Sequence, residues 1–459
     1  MTMRLVGIYM VLGLAAAKPL PPLGQRDGIL STIGDDVIGL LSSVTDDLAS
    51  LSPYLSSQAT SIKDKVQVAR LVPSTSNSSS VESAAATISD IFRQRPADLT
   101  VAVDELLSQG LLVGQLLDLL NSFANQSTIN SQNNTNLRSP IVPVYPSKLL
   151  DDAPYSLDEH TLRSAIYIPE SFTYGKKTPV ILIPGTFIPA GITYHFSFSK
   201  LADFTGSLDP LWVNIPGASL GDAQVNAEYV AYAINYISGI TASNVAVISW
   251  SQGGLDTQWA LKYWPSTRSS VQDFVAISPD FHGTILAPAI CPGLPLPSCT
   301  PSVAQQIYTS KYIATLRADD GDSAYVPTTT LFSTFDEIVE PMSGDYASAY
   351  LLDARNVGVT NAWVQQVCGT VTLGGSIFTH EGMLYNPLSW ALAIDAITHK
   401  GPGDPSRLDL DKVCSSFLAD GLDLEDLLGT EGLLLLAVAN VIGYGSWTAT
   451  EPPIKAYAK

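Results

Sequence analysis

Val245-Ala246-Val247-Ile248-Ser249-Trp250-Ser251-Gln252-Gly253-Gly254 is a β-branched apolar run that stops at a serine, with two glycines just behind it. A stretch compatible with a helix, Leu255 to Tyr263, follows. A buried strand, a sharp turn that strains one serine, and then a helix is how a nucleophile elbow reads. Glycine is needed where the turn brings strand and helix backbones together. The helix N-terminus beneath the serine favours negative charge developing on a bound carbonyl. The first motif position, usually glycine, is Ser249 here. Alone, such a string is also compatible with an ordinary tight turn, so its partners decide the reading.

A nucleophilic Ser251 needs a general base and an acid that orients it. On an α/β-hydrolase sheet the chain order is Ser, then Asp or Glu, then His. Of the five histidines, His160 and His195 precede Ser251, and His282 leaves little room for an acid on a later strand. His399 ends a helix-like run just before Gly401-Pro402-Gly403, where a cation is a structural habit. His380, in the loop Gly374-Gly-Ser-Ile-Phe-Thr-His380-Glu-Gly, is the expected base. The acid should emerge from a strand end. Thr328-Thr-Thr-Leu-Phe-Ser-Thr-Phe335 runs into Asp336, the preferred acid. Asp280, after Asp273-Phe-Val-Ala-Ile-Ser-Pro279, is the competitor. Asp319, Asp320 and Asp322 surround Gly321 and read as a solvated turn. Upstream, Thr178-Pro-Val-Ile-Leu-Ile-Pro-Gly185-Thr186 is a second strand ending in a turn. It places the backbone N–H groups of Thr186 and Gln252 as oxyanion donors, with the Thr186 hydroxyl as a candidate third. The expected fold is therefore α/β: an α/β-hydrolase with a mostly parallel central sheet, preceded by an N-terminal helical region.

The motifs Pro184-Gly-Thr186, Ser249-Trp-Ser-Gln-Gly-Gly254, Ser278-Pro-Asp-Phe-His-Gly-Thr284, Val326-Pro-Thr-Thr-Thr330, Asp336-Glu-Ile-Val339 and Val367-Cys-Gly369, in this order, resemble the fungal lipase B family. Gln224-Val-Asn-Ala-Glu-Tyr229 fits the same pattern, and the resemblance covers about residues 175 to 415. It implies the triad Ser251, Asp336 and His380 and the oxyanion pair Thr186 and Gln252. It further implies that Trp250 lies under a small alcohol pocket, Ile338 lines the acyl side, and Gln306 faces substrate. Asp280 is carried with these as a substrate-side residue. The family pairs Cys368 with Cys414, which leaves Cys291 to close a Pro-rich loop with Cys299. It also implies a channel-lining role for the apolar run Leu433 to Ile442. The chain departs from the family in a longer Cys368-to-His380 spacing, in Pro189-Ala-Gly-Ile-Thr after the oxyanion threonine, and in Leu211 where a cysteine would fall.

The remaining composition is consistent with a secreted, extracellular enzyme. Residues 1–17 read as a signal peptide, with Arg4, an apolar core and Ala15-Ala16-Ala17. That core is too short for a membrane span, and nothing later reaches the length. Four cysteines suit an oxidising compartment. No metal-ligand spacing occurs, so neither metal nor other cofactor is expected. A formal charge of −19 argues against nucleic acid and anionic membrane surfaces. Residues 18–140 form a separate helical region without Trp or Cys, and 141–459 form the catalytic domain. Helical periods run through Leu30 to Leu51, Val81 to Phe92 and Val101 to Leu120. The three sequons, Asn77, Asn125 and Asn133, all lie in this region. It reads as a cap, a pro-segment or extra packing. The expected activity is triacylglycerol lipase by way of an acyl-enzyme, with transesterification also open to it. The partner is an ester or lipid, met at an oil–water interface, and the chain acts as a monomer. A short-chain carboxylesterase, an amidase or peptidase, and a non-catalytic glycoprotein on the same fold are the alternatives.

Overall fold

Strands β1 (Ile166–Tyr167), β2 (Thr178–Ile183), β3 (Leu208–Val213), β4 (Val245–Trp250), β5 (Val271–Ile277), β6 (Thr328–Phe332) and β7 (Val359–Trp363) form one sheet in the computed structural model. Their spatial order is β1-β3-β2-β4-β5-β6-β7. Only β1 runs antiparallel to its neighbour; every other pairing is parallel. The structure describes residues 60, 64, 66, 80–96, 98–112, 129–290, 299–444 and 446–459. The signal-peptide reading of 1–17, the helical period over 30–51, Asn77, Asn125 and Cys291 lie outside these residues.

The central strands β2 and β4 read as near-continuous apolar runs because both sheet faces are covered, and the two-residue period divides their side chains between two cores. Val180, Leu182, Ala246, Ile248, Val275 and Ile277 enter one core. Ile181, Ile183, Val245, Val247, Phe274 and Ala276 enter the other. The longer helices are α1 (Val81–Arg93), α2 (Leu99–Ser108), α3 (Ala223–Thr241), α4 (Gln252–Tyr263), α5 (Pro387–Thr398), α6 (Leu424–Glu431) and α7 (Leu433–Gly443). Helices α3 and α4 cover the second face, and α1, α2, α5, α6 and α7 share the first. Local chemistry sets several boundaries. The Asp222 side chain caps α3, and Asn386 caps α5 ahead of Pro387, whose missing N–H costs nothing at a first helical position. This α/β-hydrolase architecture is the expected one.

Helix α1 begins at Val81, where its sequence period begins. Helix α2 begins at Leu99, two residues before the period read from Val101, and ends at Ser108; residues 113–120 of that period lie outside the described residues. Ser80 closes a capping box on α1, and the Asp98 carboxylate accepts the N–H groups of Thr100 and Val101 on α2. Their apolar faces join the same core as the sheet. Helix α2 packs on α7, and α1 packs on α6. The chain docks on the sheet before residue 141. The Ile129 carbonyl accepts from Trp212 Nε1 and Asn214 Nδ2, and Asn134 and Asn136 bond the Ser164 and Ile166 carbonyls. Asn133 is exposed beside this tether. Among the described residues, no helix is long and apolar enough to cross a membrane and no cluster of residues could hold a metal ion.

Candidate active site

At the C-terminal end of β4 the backbone of Ser251 adopts φ +56° and ψ −131°, a conformation that costs a non-glycine residue about 1–3 kcal/mol. The surroundings hold it there. Ser251 N–H donates to the Ile277 carbonyl at 2.9 Å, and Gly254 N–H donates to the Ser251 carbonyl at 2.8 Å. A Cβ on Gly253 would stand 2.6 Å from the carbonyl oxygens of Ile183 and Pro184, so only glycine lets α4 approach β2 this closely. A Cβ on Gly185 would meet Ser251 Cβ at 2.8 Å. Ser249, at the usual glycine position, is fully buried and its hydroxyl has no partner among the described residues.

Asp336 follows β6 and His380 follows β7, at the same C-terminal end of the parallel strands as the elbow. His380 Nδ1 lies 2.8 Å from Asp336 Oδ2, and both side chains are almost wholly buried. Asp336 Oδ1 accepts two backbone N–H groups, from Ile338 at 3.0 Å and Val339 at 2.7 Å. A carboxylate only accepts, so the imidazole carries its proton on Nδ1 and leaves Nε2 free to take another. The His380 carbonyl accepts from Trp250 Nε1 at 3.0 Å, and the indole ring centroid lies 5.0 Å from the imidazole. The Cys368–Cys414 disulfide closes the segment that carries His380, across a sequence separation of 46. On chain-entropy grounds a loop of that size contributes about 4 kcal/mol. Cys299 is also disulfide-bonded.

Ser251 and His380 line one cavity, about 510 Å³ when its open mouth is included. No hydrogen bond links Ser251 to the imidazole in this structure; such bonds commonly tighten only around substrate. The remaining wall is mostly apolar: Phe187, Ile188, Trp250, Ala287, Val303, Ile338, Val339, Leu433, Leu434 and Ala437, with Thr186, Thr284 and Gln306 as the polar exceptions. The backbone N–H groups of Thr186 and Gln252 donate to no acceptor among the described residues. Gln252 is the first residue of α4, where an N–H has no intrahelical partner and the helix dipole is positive. The Thr186 hydroxyl, expected as a third donor, is already engaged: it donates to Gln252 Oε1 at 2.6 Å. Gln306 Nε2 donates to the same oxygen at 2.9 Å, and Gln252 Nε2 is held by the Ser219 carbonyl at 3.1 Å. To reach an oxyanion, the hydroxyl must exchange that acceptor.

Asp280 stands apart from this group. It is fully buried, is not part of the cavity wall, and neither carboxyl oxygen has a side-chain or neighbouring backbone donor within hydrogen-bond geometry among the described residues. Burial pushes its carboxyl up to about 8, which favours a neutral acid. The structure therefore does not place it against substrate, because β5 delivers it beneath the elbow rather than into the opening. His399 caps α5 and pairs with Asp395 at 3.1 Å, and of the histidines only His380 lines the cavity. Helix α7, the apolar run to which the family resemblance gave a channel-lining role, presents Leu433, Leu434 and Ala437 to the cavity. Three carboxyls behind His380, those of fully buried Glu381 and Glu431 and of partly buried Glu337, escaped the sequence reading. Their only signal was acidic residues directly after Asp336 and His380.

No family model matches the chain. Lipase B from Pseudozyma antarctica is 31% identical over 325 residues, which span 70% of this chain and 90% of that protein. The crystal structure of Aspergillus fumigatus lipase B superposes with a TM-score of 0.88 at 53% identity, covering 93% of this chain and 100% of the other. An elbow serine, a carboxylate-held imidazole and an apolar cleft thus occur in a chain that shares sequence with one lipase B over most of its length and fold with another. The chain belongs to the lipase B family and is a lipase or carboxylic ester hydrolase.

Proposed function

We propose that this chain hydrolyses long-chain carboxylic esters, with triacylglycerol as the substrate class, through an acyl-enzyme on Ser251. The observation that carries the reading is the 2.8 Å contact between His380 and Asp336 at a cavity whose wall also holds the strained Ser251. Ser251 Oγ attacks the ester carbonyl while His380 Nε2 removes its proton. Asp336 holds the tautomer and stabilises the imidazolium. The N–H groups of Thr186 and Gln252 receive the oxyanion, a contribution on the order of 3–4 kcal/mol per donor. His380 then protonates the departing alcohol, and water, activated by the same imidazole, releases the acid. An alcohol in place of water gives transesterification.

The apolar lining favours a fatty acyl chain over a short or polar one. Ile338 takes the acyl side, Trp250 the alcohol side, and Gln306 orients the group between them. The leader-like residues 1–17 and the disulfide between Cys368 and Cys414 support secretion, with Cys291 paired to Cys299. Glycans on Asn77, Asn125 and Asn133, action as a monomer, and work at an oil–water interface complete the proposal. Within residues 18–140, α1 and α2 then act as packing for α6 and α7.

Aryl esters from acetate to palmitate, assayed beside a matched aryl amide, test the substrate class. Burial of each added methylene is worth about 0.8 kcal/mol, so kcat/KM should rise at least about tenfold from acetate to the best medium or long chain. A maximum at acetate would make the protein a short-chain esterase, and faster amide cleavage would make it an amidase.

A further inference from the structure

Three carboxyl side chains with no part in the steps above stand in a row behind the imidazole. Glu337 follows Asp336, Glu381 follows His380, and Glu431 ends α6 just before Gly432 and α7. Glu337 Oε2 accepts the backbone N–H of His380 at 3.0 Å. Glu431 Oε1 accepts the Tyr385 hydroxyl at 2.7 Å. Glu381 lies between them, within hydrogen-bonding reach of both carboxyls. Glu381 and Glu431 are fully buried; Glu337 keeps part of its surface exposed, but its Oε1 is sealed from solvent. Among the described residues, Glu337 Oε1 and Glu431 Oε2 are sealed and meet no N–H or O–H donor. Glu381, beside the Thr379 hydroxyl and its own backbone N–H, makes no well-formed hydrogen bond with either of its sealed oxygens.

Three carboxylates cannot occupy such a space. Each donorless charged oxygen is costly away from water, and adjacent like charges repel. Protons bridging one carboxyl to the next remove both penalties, because each O–H then donates to its neighbour. Burial and this mutual repulsion push all three carboxyls up, Glu431 to about 7 and the other two well above the usual range. The other titratable groups that face the row are Asp336, His380 and Tyr385. Lys200, near the same helix, is committed to Asp426.

We infer that Glu337, Glu381 and Glu431 are positioning residues for the reaction: a proton-sharing row that holds the His380 backbone at one end and the root of the cavity-lining helix α7 at the other. The inference rests on His380 being the base. The folded protein binds more protons here than the unfolded chain, so the stabilisation is complete below the ordinary glutamate value. It declines as pH rises, through about 7 for Glu431. Once the last bridging proton leaves, adjacent negative charges push Glu337 off the His380 N–H and loosen the start of α7, and turnover falls on the alkaline side.

The test is kcat and KM against pH for the full chain and for Glu381→Gln and Glu381→Ala, together with an infrared pH titration of the wild type. Glutamine keeps the volume and a donor group, its NH₂, but cannot ionise. Glu381→Gln should therefore move the alkaline fall in kcat upward by about one pH unit or more and leave the acid limb in place. Glu381→Ala should lower kcat by about tenfold or more across the range. In protein carrying ¹³C in its glutamate side-chain carboxyls, which leaves buried aspartates such as Asp280 unshifted, the wild-type spectrum near neutral pH should carry the isotope-shifted C=O stretch of a protonated glutamic acid that disappears along the alkaline limb. An unchanged pH profile in a folded Glu381→Gln protein would overturn the inference. So would the absence of that band at neutral pH, which decides the matter even if the variant does not fold. Loss of the His380 assignment would show separately, as turnover that survives replacement of His380.

Discussion

Replacing Ser251 with alanine is expected to lower kcat on the order of a million-fold while leaving the fold intact. The loss is large because the nucleophile, its base and the orienting acid act as one unit. A second substitution at His380 should therefore cost almost nothing more. Residual turnover should still exceed the rate in water by about 10³–10⁴, since the N–H groups of Thr186 and Gln252 remain in place. The fold survives because the strained backbone of Ser251 is imposed by neighbours, namely the Ile277 carbonyl and the close approach of Gly253 to β2, and alanine fits the same φ. The unfolding midpoint measured beside the rate separates lost chemistry from lost structure. A Ser251→Ala protein that retains a tenth of wild-type turnover would mean that another group attacks the ester.

Asp336→Asn should be the next most damaging single change, at about 10⁴-fold in kcat. The substitution can preserve both backbone bonds, because an asparagine Oδ1 accepts from Ile338 and Val339 as the carboxylate oxygen does. What changes is the atom 2.8 Å from His380 Nδ1. An amide NH₂ placed there donates to Nδ1, drives the imidazole proton to Nε2, and leaves Ser251 with no acceptor. The lost rate should reappear in part at high pH, where hydroxide can deprotonate the serine. Asp280→Asn offers the comparison: Asp280 was the competing acid on sequence grounds, yet it makes no bond to the imidazole. It should leave the order of magnitude of kcat unchanged.

Asp280 and Asp336 also illustrate what a sequence can and cannot convey about such a site. Each is an acid directly after a strand, so the local signal is the same. Only the positions of β5 and β6 in the sheet, with β6 beside the β7 edge that leads to His380, separate their roles. The elbow was readable because its demands are local: a β-branched run, a strained serine and glycines where backbones nearly touch. The sheet was readable for a related reason, since strands buried on both faces advertise themselves as continuous apolar runs. Long-range placement was not readable. Nothing in Gly382 to Glu431 announces that Glu431 returns to meet Glu381, or that Ile129 anchors the chain to Trp212 and Asn214 before residue 141. The engaged Thr186 hydroxyl likewise depends on Gln306, some 120 residues away.

The account stands on Ser251 as the nucleophile, and a serine-reactive fluorophosphonate tests that most directly. Intact-mass and peptide-mass measurements after treatment, with residual ester hydrolysis followed in parallel, are sufficient. One adduct per chain, located on Ser251 and formed in step with the loss of activity, is the predicted result. Hydrolysis that continues at its original rate in fully labelled protein, or inactivation with the adduct on another residue, would contradict it.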